Sequence, residues 1–396
     1  MSRRGRPLFW PLLVLHAILL QVISYGLRPS LSYAVLDLGY GSEWLAVVAA
    51  MFAVPPLVLT VATGRLVDRV GERPSMVVGG LALIGSAVVA YVGSTQLWTL
   101  IAATALLGIG IIFSIVAEQS AVAGRARRPG PRRQGMETVF GIYTFTTSLG
   151  QALGPMLLLI PGEPGSVSPP LRPVALCCVL AGVVTLVASF GLGSHHRGAR
   201  APVSGGSWPT RRLLAIPGMY RALLVGGLIL ASIDVTLAYL PALAHARGIA
   251  PGWVTVMLTA RSLMSMLSRI NLAYLARTLG RRRLTIGACV VSALAVCGLA
   301  APVPAAVLVC LTATYGFAAG VCQPMTMVWV SQLSPPKSRG TVLSLRIGGN
   351  RLAQSVIPGV SAAAAVVGGA AGVLVLTGAA LAVAAWSSSA IPDHEV

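Results

Sequence analysis

The sequence predicts an all-α polytopic membrane protein, with twelve transmembrane helices in two pseudo-symmetric six-helix bundles around a central cavity. Three observations predict it. Of the 396 residues, 56% are hydrophobic and only 10% charged, where a soluble domain carries roughly 25% charged residues. Basic residues gather in every second loop, and the chain repeats itself across its midpoint.

Runs of ~20 apolar residues place spans near 9–30, 44–63, 75–93, 97–117, 138–160 and 172–192. A second set lies near 219–241, 252–275, 284–301, 304–330, 341–365 and 369–388. Between the sets, a stretch rich in Gly, Ser, Pro and Arg reads as a cytoplasmic linker. The expected division is therefore a bundle at 1–193, a linker at 194–217 and a bundle at 218–396. The other loops are too short to build an extramembrane core.

A net charge of +19 raises the possibility of nucleic-acid binding, and the placement of the arginines excludes it. Arg3, Arg4 and Arg6 precede the first span, and Arg65, Arg69 and Arg73 follow the second. Arg125, Arg127, Arg128, Arg132 and Arg133 follow the fourth, and Arg197, Arg200, Arg211 and Arg212 the sixth. Arg277, Arg281, Arg282 and Arg283 follow the eighth, and Lys337 and Arg339 the tenth. The alternate loops hold little beyond Arg172 and Arg247. This is the positive-inside pattern with both termini cytoplasmic, in a bacterial-type inner membrane. No small-residue cleavage site closes the first run, so the first helix is expected to stay uncleaved. The six cysteines fall in apolar runs without metal-ligand spacing and read as small buried hydrophobes. No phosphate-cradling loop, metal cluster or nucleophile triad is present, so neither an enzyme nor an ATP-driven pump is expected, and no cofactor.

The repeat is carried by two segments. Gly64-Arg65-Leu66-Val67-Asp68-Arg69-Val70-Gly71-Glu72-Arg73 ends the second span, and Ala273 to Arg282 ends the eighth; Leu66 and Leu275, Gly71 and Gly280, and Arg73 and Arg282 align 209 residues apart. A second echo sets Gln151 and Pro155 of the fifth span against Gln354 and Pro358 of the eleventh.

Within the first of these loops, Gly64 is a small residue that lets helices meet closely, Gly71 suits a tight turn, and an acid among arginines bridges helix ends. With the spans and the repeat, the loop resembles the signature between helices two and three of the major facilitator superfamily, a resemblance that covers the whole chain. Glu72 departs from it, since that slot is usually basic. The resemblance implies that Asp68 with Arg65, Arg69 and Arg73 forms a cytoplasmic gate latch against the eleventh helix; the plain alternative is a positive-inside loop. In the fifth span, Gly150-x-x-x-Gly154-Pro155 permits close helix contact and a loosened backbone. It resembles the antiporter signature of the same superfamily without the glycines usual after the proline, and the resemblance implies export by exchange rather than import; the plain alternative is a motif that packs and kinks a helix. The fourth span carries Thr104 to Gly108 where drug-proton antiporters of the family carry an arginine, which weakens a drug-efflux reading.

Ionisable residues at membrane depth tend to be functional. Asp234 lies mid-span in the seventh helix and Arg261 mid-span in the eighth, and either a proton-coupling switch or a static buried pair would suit them. Arg28 either snorkels to the interface or faces the cavity with Gln21 and Tyr25. Arg346, Asn350, Arg351 and Gln354 form a polar stripe on the eleventh helix, next to Gly348 and Gly349, that lines the path or hydrogen-bonds across helices. Gln323-Pro324 reads as a kink. Glu118 and Glu137 sit at helix ends and read as solvated or loop-paired.

The function expected is proton-coupled export, by alternating access, of a small organic solute, anionic or polar given the arginines. The rivals are an importer or uniporter and a non-transporting receptor or assembly protein. The expected partners are the lipid bilayer, a small-molecule substrate and protons or another coupling ion, with the protein a monomer.

Overall fold

The computed structural model describes residues 9–126, 136–162, 168–192, 210–333 and 339–391. Every regular element among them is helical. In order these are α1 (Phe9–Asp37), α2 (Trp44–Val70), α3 (Glu72–Val92), α4 (Leu97–Ala126), α5 (Met136–Leu153), α6 (Leu171–Gly191), the short α7 (Thr210–Leu214), α8 (Met219–Ala246), α9 (Pro251–Ile270), α10 (Leu272–Leu279), α11 (Arg281–Leu299), α12 (Ala305–Leu333) and α13 (Arg339–Ser388).

Nine of the described helices are long and apolar enough to cross a membrane. The expected twelve follow from three local features. The 50 residues of α13 would extend roughly 75 Å, far beyond one bilayer crossing. The run breaks at Gly369, where φ is 57° and ψ −152°, so the single run contains two spans. In α5, Pro155 cannot donate its missing N–H to the preceding turn, and the helix tightens into a 3-10 turn over Gly154–Leu159 that completes the fifth span. In α9, Arg261 and Arg269 lower the hydropathy of a 20-residue helix, and α10 prolongs its path beyond Asn271. Several helices outrun the apolar runs that announce them, α1 to Asp37, α2 to Val70 and α4 to Ala126, because hydropathy marks the lipid-facing length and the hydrogen-bonded helix continues past it.

The chain divides into two compact units, Met1–Leu38 with Met51–Ala201, and Gly39–Ala50 with Pro202–Val396. The sequence break between Ala201 and Pro202 falls in the anticipated linker, whose residues 194–209 lie outside the described ones. Gly39–Ala50, including the first turns of α2, groups with the second unit, whereas the sequence division places it in the first bundle.

Within the first unit α1 packs on α4, α5 and α6, and α3 lies between α4 and α6. Within the second, α8 packs on α13, α12 on α9, and α11 on α12 and α13. The internal repeat is visible in these contacts. A side chain at Gly150 would sit 2.5 Å from the Ile18 carbonyl oxygen, and one at Gly227 would sit 2.9 Å from Ala353; Ile18 and Gly227 are 209 residues apart. Gly108 abuts the carbonyl oxygen of Phe52, and Gly316 that of Arg261, again with Phe52 and Arg261 209 residues apart. At these crossings hydrogen is the only side chain that lets backbone meet backbone. The aligned glycines behave alike too: Gly71 (φ 92°, ψ 176°) and Gly280 (φ 75°, ψ 150°) each join two helices. Both lie at positive φ, which costs L side chains roughly 1–2 kcal/mol, so the loop motif requires glycine in both halves.

Candidate functional site

The second unit gathers most of the residues singled out from the sequence. Asp234, midway along α8, is 6% exposed and Arg261 of α9 is 4% exposed. Asp234 Oδ2 accepts a hydrogen bond from Gln354 Nε2 at 2.5 Å. Gln354 Oε1 in turn accepts from an Arg351 guanidinium nitrogen at 3.2 Å. The side-chain amide therefore passes polarity from a cation on α13 to an anion on α8, donating at one end and accepting at the other. Two residues from Asp234, the Ser232 hydroxyl lies 2.7 Å from that of Tyr315 on α12, and Gly316, the next residue of α12, abuts the backbone of Arg261. The buried Asp234 and Arg261 thus flank Tyr315, which sequence reading did not single out.

The polar stripe of α13 is anchored on two neighbouring helices. Arg346 donates to the Gln323 carbonyl of α12 at 3.2 Å, and Arg269 of α9 donates to Gln323 Oε1 at 2.8 Å. Asn350 is buried, and its Oδ1 lacks a hydrogen-bond partner among the described residues. That oxygen and Thr326 Oγ1 both lie 3.5 Å from where a side chain at Gly226 would begin. The stripe hydrogen-bonds across helices, one of the two arrangements open to it from sequence. Gln323, expected only at a kink, serves two arginines.

The position of Arg261 depends on glycine. Gly316 places α12 directly on the backbone of Arg261, and Gly320 does the same at Ser265. Gly316→Ala is expected to destabilise the protein by roughly 1–3 kcal/mol through overpacking, read as a lower Tm in detergent. Gly287→Ala is the control, because no heavy atom lies within 4 Å of its added carbon, and its Tm should not fall.

In the first unit the structure brings Gln21, Gln151 and Tyr25 together where α5 meets α1. Gln151 Nε2 donates to Gln21 Oε1 at 3.4 Å, and a side chain at Gly154 would begin 2.7 Å from Tyr25 Cβ. Gly150, Gly154 and Pro155 act here as a packing and helix-ending motif. Arg28 is buried, with its guanidinium carbon 3.9 Å above the Phe52 ring. The snorkelling expected for it is not what the structure shows; a ring face offers a buried cation a partner closer than the interface.

In the loop motif, Arg65 and Arg69 are exposed, and Arg73 sits 5.1 Å over the Phe190 ring of α6. The side chain of Asp68 lies outside the described residues. Gly64 has no heavy atom within 4 Å of an added carbon, so it is not a close-contact point among the described residues. Glu72, the departure from the motif, accepts from Ser120 Oγ of α4 at 3.2 Å.

Two expectations need correction, and one residue was missed. Glu118 is fully buried, hydrogen-bonded to His16 and Tyr143; α4 continues past the predicted end of its span, which carries Glu118 inside rather than onto the surface. His16, a lone histidine in the first apolar run, was overlooked, although membrane depth alone was a signal for it. Of the six cysteines, Cys177 and Cys310 are exposed, so the buried reading holds for Cys178, Cys289 and Cys322.

With this geometry in hand, the class is defined. The chain belongs to the major facilitator superfamily, whose model matches residues 13–358 and 222–394. Members of that family are transporters, and this is a multi-pass membrane transporter of a small-molecule substrate. No curated protein matches the chain in sequence. Among solved structures it is similar to a point mutant of the nucleoside transporter NupG, at 13% identity and TM-score 0.79 over 97% of this chain and 99% of that one. The human organic anion transporter MFSD10 (TETRAN) aligns at 19% identity and TM-score 0.62 over 98% and 100% of the two chains. The inward-open xylose transporter XylE from E. coli aligns at 14% identity and TM-score 0.71 over 95% and 94%. At these identities the likeness is one of fold.

Proposed function

We propose that this protein exports a small polar or anionic organic solute from the cytoplasm in exchange for protons, by alternating access. The observation that carries the proposal is the hydrogen-bonded chain Asp234–Gln354–Arg351, buried between α8 and α13. An acid held at membrane depth by a neutral amide, rather than only by a fixed cation, can change protonation without leaving an arginine unpaired. Around it the helices α8 to α13 supply Arg261, Arg269, Arg346 and Arg351, and Asp234 is the single acid within those helices, a balance that favours an anion or a polar solute with hydrogen-bond acceptors. The solved relatives named for nucleosides, organic anions and xylose span that chemistry. Exchange is supported by the likeness of Gly150 to Pro155 to the antiporter signature. Asp68 serves as the gate latch, and the protein works as a monomer in the plasma membrane with both termini cytoplasmic.

The solute is found by untargeted metabolomics on cells with and without the gene. The expected result is a polar or anionic metabolite that accumulates inside cells lacking the gene and returns to normal on complementation. Depletion inside those cells would instead mark an importer and overturn the export reading.

A further inference from the structure

Where α1, α4, α5 and α6 meet in the first unit, the geometry points to a proton-binding site made by His16 and Glu118, closed when one proton is held between them and opened when that proton leaves. His16 Nδ1 lies 2.6 Å from Glu118 Oε1, with both side chains fully buried. His16 Nε2 lies 3.1 Å from Ser189 Oγ, and Tyr143 donates to Glu118 Oε2 at 2.8 Å. Counting hydrogens assigns the roles. The only hydroxyl proton of Ser189 is directed at the Thr185 carbonyl, 2.9 Å away, so its oxygen accepts from His16, and Nε2 carries a hydrogen. The Tyr143 hydrogen occupies Oε2. One further proton must then lie between Nδ1 and Oε1, either on the imidazole beside a carboxylate or on the carboxyl beside a neutral ring. Both forms are neutral overall.

Releasing that proton to water leaves a carboxylate facing the lone pair of a neutral imidazole, two acceptors at a distance that only a hydrogen bond sustains. It also leaves a net negative charge in an apolar shell of Leu13, Ala17, Met76, Ala117 and Val122. Burial of an uncompensated charge is strongly unfavourable, so proton loss drives α1 and α4 apart at this point. On the packed helices themselves, Arg28 of α1 lies over the Phe52 ring, Asp37 of α1 accepts from Ser168 and Arg172 of α6 donates to Ser94. On α3, Glu72 accepts from Ser120 and Arg73 lies over Phe190, while Arg65 and Arg69 of α2 are exposed. The site is separate from Asp234 and requires no knowledge of the solute.

The test is amide hydrogen exchange of the full-length protein in lipid nanodiscs, read as protection factors for peptides covering residues 10–20 and 112–122 between pH 5.5 and 9. Wild type should lose about ten-fold or more protection in both peptides through a single one-proton step, the exchange signature of a local opening. In E118Q the amide donates to Nδ1 and accepts from Tyr143, which keeps the tie without the carboxyl that exchanges the proton, so this variant should show no step. A wild type whose protection does not change with pH, or a variant that keeps the step, would overturn the proposal and leave a static helix tie.

Discussion

Asp234→Asn is expected to remove the pH-gradient dependence of transport while leaving solute exchange across the membrane in place. The asparagine oxygen can still accept from Gln354, and its size matches the carboxylate, so the α8–α13 contact survives. What is lost is the group that changes charge. In the proposed cycle the carboxylate protonates on one side and releases on the other, and with a neutral amide the cluster around Tyr315 has the same charge in every state. Counterflow in proteoliposomes without a gradient should persist, and flux driven by an imposed gradient should fall to the level without one. Gradient-driven flux equal to wild type would assign Asp234 to a static pair that only fixes helix packing.

Asp68→Asn is expected to abolish transport altogether with insertion and folding intact. Asp68 lies in the last turn of α2, three residues before Gly71, the single residue that joins α2 to α3 at positive φ. A one-residue joint couples the end of α2 to the start of α3, so a charge in that turn acts on both helices. Arg73 lies over a ring of α6, whereas Arg65 and Arg69 of the same motif are exposed. The proposed latch needs its anion to form and release in each cycle. Wild-type flux from Asp68→Asn protein of normal abundance and Tm would reduce the motif to an orienting loop.

The fold was legible because lipid imposes a simple code. Length and apolarity announce spans, and the aligned Gly71 and Gly280 marked joints that share one backbone conformation. The break inside α13 was legible as two apolar runs, although the helix barely interrupts between them. The site was less legible. Asp234 and the stripe from Arg346 to Gln354 stood out because charge and amide groups are rare at that depth. Tyr315 did not, and Gln323 stood out only as part of a kink, since a tyrosine or glutamine on a helix shows no periodic signal until its partner is known. Glu118 was misplaced because an apolar run ends where the lipid contact ends, while the helix and its buried face continue. The choice between the two readings of Arg28 was not legible because Phe52, the ring beneath it, lies on another helix, and tertiary partners of that kind are not written in local sequence.

The central claim is tested most directly by flux in proteoliposomes holding the purified wild-type protein and the solute found by metabolomics, with and without an imposed pH gradient. The account predicts that the solute moves against its own gradient when protons flow the opposite way, with a matching proton current that stops when the solute is omitted. Solute movement that is always downhill and unaffected by the pH gradient would contradict coupling and define a uniporter. No movement in either condition, from protein that is folded and correctly inserted, would contradict transport of that solute.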